Sequence, residues 1–185
     1  MSIVNSPKSI YCALELVRMR IKKLPTLIDP IIPKCNLVAL IGSSDIGKSS
    51  LLLQMCIDVT LNNHFLGFPI CATHKSSIYV STEDDPAVLS LRLQRLDGVE
   101  EEKLKLMRFI FQTENLVSRL DRELTNQKAD LVVIDTFTDI FTKEMNQVNQ
   151  VRSFMNEYNN LSIKHGCVII FNHHTGKKAE ELEPS

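Results

Sequence analysis

The sequence predicts a three-layer α/β domain built on a mainly parallel sheet. Short apolar runs at 37–41, 78–81, 108–111, 131–134 and 167–171 are continuous rather than alternating, the pattern of strands covered on both faces. Stretches with helical spacing separate them, as right-handed βαβ crossovers require. The length, 185 residues, allows one such core rather than two.

Composition fits this class. Hydrophobic residues are 44% and charged residues 23%, which excludes disordered and fibrous chains. Twenty-one basic against twenty-two acidic residues leave a net charge of -1, so no global footprint for nucleic acid exists. A local basic patch, or one made by assembly, stays open. The five cysteines (Cys12, Cys35, Cys56, Cys71, Cys167) never form CxxC and read as reduced core residues, with no zinc site. No apolar run is long enough to cross a bilayer, and the N-terminus lacks a charged start followed by an apolar segment. The expectation is a cytoplasmic protein.

Taken in order, residues 10–24 place Ile10, Ala13, Leu14, Val17, Ile21 and Leu24 on one helical face and stop at Pro25; Arg18, Arg20, Lys22 and Lys23 form a basic stripe opposite. The segment LPTLIDPIIP is punctuated by proline and predicts an arm lying on the core. The strand at 37–41 leads into a helix at 48–62. The strand at 78–81 precedes a helix at 86–96, with Asp85 as N-cap and Pro86 first. The strand at 108–111 precedes a helix at 115–126, and that at 131–134 a helix at 144–164. The strand at 167–171 ends the series.

Chemistry concentrates where these strands end. GSSDIGKS, residues 42–49, matches G-x-x-x-x-G-K-[ST] between a strand and a helix, the placement a P-loop requires. There Gly42, Ser43, Ser44, Asp45, Ile46, Gly47, Lys48, Ser49 and Ser50 would wrap phosphates with backbone N–H groups at a helix N-terminus. Lys48 supplies a point charge for the β- and γ-phosphates, and the Ser49 hydroxyl a ligand for Mg²⁺. ADLVVIDT ends a buried strand at Asp135, a carboxylate on the ligand-binding rim of a parallel sheet and the second Mg²⁺ residue. IYVSTEDDP sets Glu83, Asp84 and Asp85 beyond another strand. One of these can polarise an attacking water, while Asp85 and Asp84 also suit a helix cap. FNHHTGKK brings His173, His174, Thr175, Lys177 and Lys178 to the same edge, where a polar group can sense a γ-phosphate and a cation can stabilise charge.

This order of motifs resembles the RepA-type branch of the RecA-like P-loop ATPases, AAA-family relatives of plasmid and replicative helicases such as DnaB and RadA. The resemblance covers roughly residues 34–178. It implies a three-layer RecA-like core, ATP and Mg²⁺ as cofactors, and a homo-oligomer, a hexamer with nucleotide between subunits. It implies Glu83 as catalytic base, His174 as γ-phosphate sensor, Lys177 as the basic residue three positions on, and DNA as a partner of a full-length protein. The expected division is an N-terminal helix and proline-rich arm at 1–33, an ATPase core at 34–178, and a tail or truncation point at 179–185. The family's core continues through further strands that bear DNA-facing loops and an arginine given to the neighbour's site; these are expected to be missing, and the hexamer is liable to be lost with them. Two other functions compete: a non-motor ATP-binding switch with slow or no turnover, and a small-molecule kinase sharing only the P-loop.

Overall fold

A computed structural model describes residues 10–96, 98–141 and 148–175. The elements, in chain order, are α1 (Ala13–Arg18), β1 (Thr26–Ile28), β2 (Ile32–Pro33), β3 (Leu37–Gly42), α2 (Lys48–Leu61), β4 (His64–Phe65), β5 (Phe68–Pro69) and β6 (Ser77–Ser81). There follow α3 (Pro86–Leu93), α4 (Glu101–Leu104), β7 (Met107–Ile110), α5 (Leu116–Asn126), β8 (Leu131–Asp135), α6 (Phe137–Ile140), α7 (Val148–His165) and β9 (Val168–His174).

Five strands form one sheet in the order β3-β9-β8-β6-β7, every pair parallel. Alternation along the central strands splits their side chains between two cores. Leu131 and Val133 of β8, with Val168 and Ile170 of β9, join Leu52, Cys56 and Val59 of α2. Val132, Ile134, Ile169 and Phe171 face Leu120 and Leu124 of α5 and Tyr158 and Leu161 of α7. Both faces of β6 and β8 are thereby buried throughout, as continuous apolar runs predict.

Local chemistry sets the helix ends. Asp85 accepts from the N–H groups of Ala87 (2.8 Å) and Val88 (2.9 Å), with Pro86 at the first turn of α3. In α5, Leu116, Leu120 and Leu124 repeat at i, i+4 and are the buried residues of that helix. Asp121 on its flank accepts from Lys164 and pairs with His165 of α7, each at 2.7 Å, tying the two helices together. These bonds hold the Asp121 carboxyl below its ordinary range, Lys164 first and His165 next.

Several expectations change. The helix expected at 10–24 spans only Ala13–Arg18 and buries nothing. Arg20 adopts φ 48, which breaks the helical path, and Leu14, Val17, Ile21 and Leu24 remain exposed because no other element among the described residues covers them. The helix expected to start at 144 is described from Val148; residues 142–147 lie outside the described residues. The arm does lie on the core, but as a hairpin, β1–β2, with Leu27 and Ile28 fully buried. It is joined to the β4–β5 hairpin through the Ile28–Ile70 bridge. The strand expected to be buried on both faces at 37–41 is an edge strand and only partly covered. Of the cysteines, Cys56 and Cys167 are core residues, whereas Cys12, Cys35 and Cys71 are exposed; all five are free. Among the described residues, no helix is long and apolar enough to cross a membrane.

Candidate functional site

Because all five strands are parallel, their C-terminal ends share one rim. Gly42 stands opposite His174 across β3 and β9, and Ser81 opposite Asp135 across β6 and β8. The loop after β3, the Glu83 segment, Asp135 and His174 are thus neighbours although 132 positions separate Gly42 and His174 in sequence.

The loop's shape depends on two positions. Gly47 precedes α2 at φ 86, a left-handed conformation that side chains rarely adopt. At Gly42 an added Cβ would stand 2.7 Å from Ile46 Cδ1, so a larger residue there would push the exposed Ile46 side chain aside. The α2 N-terminus then opens onto a cleft of about 250 Å³ lined by Asp45, Lys48, Ser49, Glu83, Arg92 and His174. Exposed backbone N–H groups at such a helix start favour an anion.

Lys48 is buried, and its ammonium donates to the carbonyls of Gly42 (2.9 Å) and Ser43 (2.5 Å) and to His174 Nδ1 (3.0 Å). An ammonium cannot accept, so Nδ1 is the acceptor and the neutral ring carries its proton on Nε2. That Nε2 lies 3.6 Å from Glu83 Oε1. Burial raises the Glu83 pKa above the ordinary carboxylate value; the nearby Asp135 charge adds to this and His174 opposes it. A carboxyl shifted this way is suited to take up a proton.

Asp135 is buried at the end of β8, and its two oxygens are both held. Tyr79 donates its hydroxyl to Oδ2, and Asn172 Nδ2 donates to Oδ1 at 2.5 Å. The same Asn172 nitrogen reaches Ser49 Oγ at 3.4 Å. One N–H₂ donor thus stands where a hydroxyl and a carboxylate converge, and those two hard oxygens suit Mg²⁺ with water and phosphate completing its shell. Thr82 fixes the spacing of the two acidic segments: its hydroxyl donates to the Asp135 carbonyl (3.0 Å), and its N–H to the same carbonyl (2.8 Å).

The three acids after β6 divide their tasks. Asp85 caps α3. Asp84 forms an ion pair with Arg92 at 2.7 Å. Glu83 alone of the three pairs with His174. Lys177 lies outside the described residues, as does Lys178. His173 points away from this group: its ring packs edge-on against Phe137 at 5.5 Å, and burial lowers its pKa, helped by His174 and Lys48.

Tyr79, Thr82, Arg92 and Asn172 belong to the site and escape a motif reading. Asn172 carried a usable signal, a buried amide closing the apolar run of β9. Tyr79 and Arg92 sit at ordinary strand and helix positions, so only the fold brings them here.

A parallel sheet with a P-loop between its first core strand and helix, and acidic strand ends beside it, defines a RecA-like P-loop fold. The chain belongs to the AAA domain family, whose family model matches residues 13–180. Among solved structures, a KaiC-like protein of the hyperthermophilic archaeon Pyrococcus horikoshii shares the fold at a TM-score of 0.59 and 18% identity. That match covers 80% of this chain and 65% of the other, so this chain spans somewhat less than two thirds of its structural relative. No curated protein matches the chain.

Proposed function

We propose that the chain binds ATP with Mg²⁺ at the cleft formed by residues 42–50 and hydrolyses it. The observation that carries this is the convergence of Lys48, Ser49, Glu83 and His174 on one cleft at the C-terminal rim, with buried Asp135 tied to Ser49 through Asn172. In this reading Ser49 and Asp135 hold Mg²⁺, which neutralises phosphate charge when bound. Lys48 leaves the carbonyls of Gly42 and Ser43 for phosphate oxygens. Glu83 takes the proton of the attacking water, and His174 donates its Nε2–H to the γ-phosphate. Lys177 is proposed as a further cation at this edge. The resemblance to RepA-type ATPases supports work in DNA replication, mobilisation or repair, within a homo-oligomer.

A second reading, an ATP-binding switch with slow or no turnover, is favoured by one feature. Lys48, His174 and Glu83 satisfy one another in the form described, which holds the lysine off the phosphate site until a ligand displaces it. Calorimetric titration with ATP in Mg²⁺ tests the shared core of both readings. Lys48→Ala should abolish binding, and equal affinity for wild type and variant would refute the assignment. Phosphate release then separates the two, since a switch binds without measurable turnover.

A further inference from the structure

A second cavity, remote from the rim, lies along the far edge of the sheet. Among the described residues β7 bonds only to β6, which leaves the outer N–H and C=O groups of Met107–Ile110 unpaired within the sheet. The cavity, about 460 Å³, takes Arg108 and Ile110 from one face of β7 and Phe109 from the other. A space bordered by alternate faces of one strand runs along that strand's backbone edge. Arg119 and Glu123 of α5 complete its wall.

Two buried donors there have no acceptor among the described residues, Arg108 Nε and Arg119 Nε. The remaining donors are partly used: Arg108 bonds the carbonyls of Glu123 (3.2 Å) and Gln127 (2.8 Å), and Arg119 bonds Gln112 (3.2 Å). Glu123 lies 3.8 Å from Arg108 and is the one carboxylate beside the two guanidinium groups in the cavity's lining. A charge that merely guards an exposed edge points into water; these Nε atoms do not. On the other side of β7 lies an apolar cavity of about 530 Å³, formed with Leu89, Leu93 and Leu104 and sharing Phe109 and Phe111.

We propose that the β7 edge docks an extended peptide segment of another protein, one that alternates acidic and apolar residues. Added as a sixth strand, such a segment sends successive side chains to opposite faces. Its carboxylates meet Arg119 and Arg108, and its apolar residues enter the groove beside Leu89 and Leu93. Charge argues against the chain's own exposed N-terminal helix segment as occupant, because that segment carries Arg18, Arg20, Lys22 and Lys23.

The test is fluorescence anisotropy on the full chain with a fluorescein-labelled heptapeptide, Ile-Glu-Ile-Glu-Ile-Glu-Ile. Controls are the same peptide with Lys for Glu, and the Glu peptide N-methylated at alternate residues to remove backbone donors. The Glu peptide should bind and protect the amides of residues 108–112 from hydrogen exchange. Arg119→Ala should weaken it at least about tenfold, the usual worth of a hydrogen bond to a charged group. Phe111→Ala, at an exposed position, checks the apolar side independently and should also weaken it. ATP affinity should be unchanged in both variants, which reports that each is folded. Equal binding of the Lys or N-methylated peptide, or no effect of either variant, would overturn the proposal. So would displacement of the Glu peptide by millimolar inorganic phosphate, since the cavity would then be a small-anion site.

Discussion

At the scale of single residues, the acids after β6 show how position divides identical chemistry. Glu83 is the one that approaches His174, and burial raises its pKa above the ordinary carboxylate value, which makes it a stronger base. Glu83→Gln keeps size and hydrogen bonding but removes the basic group. Nucleotide affinity should change little while ATP turnover falls by roughly 10²–10⁴, the usual contribution of a positioned base. Asp85→Asn should leave turnover unchanged, because asparagine caps α3 about as well. The pH profile gives a second check. A base must be deprotonated, so turnover should fall as pH drops through the Glu83 value, which burial raises above the ordinary one, and the residual activity of Glu83→Gln should lack that limb. A loss of turnover in Asp84→Asn with normal Glu83→Gln would place the base one residue later.

At the scale of elements, tertiary cover rather than periodicity decides what is stable. Helices α1 and α5 both show apolar residues at helical spacing, yet α5 buries Leu116, Leu120 and Leu124 and α1 buries none. Leu120→Ala should therefore cost about 2–5 kcal/mol in urea unfolding, and Val17→Ser less than about 0.5 kcal/mol. A comparable loss at Val17 would mean that α1 is covered in solution. The same contrast explains what the sequence could disclose. Continuous apolar runs located all five core strands, and the glycine-lysine loop located the candidate phosphate site, because local pattern dictates both. The short hairpins β1–β2 and β4–β5 were not legible as strands, since two- and three-residue pairings leave no period to read. Nor were Tyr79 and Asn172, whose role exists only once β6, β8 and β9 lie side by side around Asp135. The limits of the N-terminal helix were misread because a six-residue apolar face over 10–24 says nothing about whether another surface is there to receive it.

At the scale of the whole molecule, charge bears on the proposed link to DNA. Affinity for duplex DNA comes chiefly from phosphate contacts, and each contact needs a cation free to make it. This chain carries a net charge of -1, and its densest basic stretch is short: Arg18, Arg20, Lys22 and Lys23. Lys23 is already paired with Asp29 at 2.7 Å, which leaves three cations of that stripe to make phosphate contacts. Three or so contacts without aromatic or groove-filling partners fall short of what holds a duplex at physiological salt. The expected dissociation constant for a non-specific oligonucleotide, measured by anisotropy on the 185-residue chain, is therefore weaker than roughly 10⁻⁴ M, the weak end of non-specific binding. Lowering salt should strengthen binding only slightly, because few counterions are released. Submicromolar binding with a steep salt slope would contradict this, and Arg18→Glu with Arg20→Glu would then show whether the arm is the source. If those changes left such binding intact, the cations would have to come from a surface that forms only when copies of the chain assemble, and the slope should then rise with protein concentration.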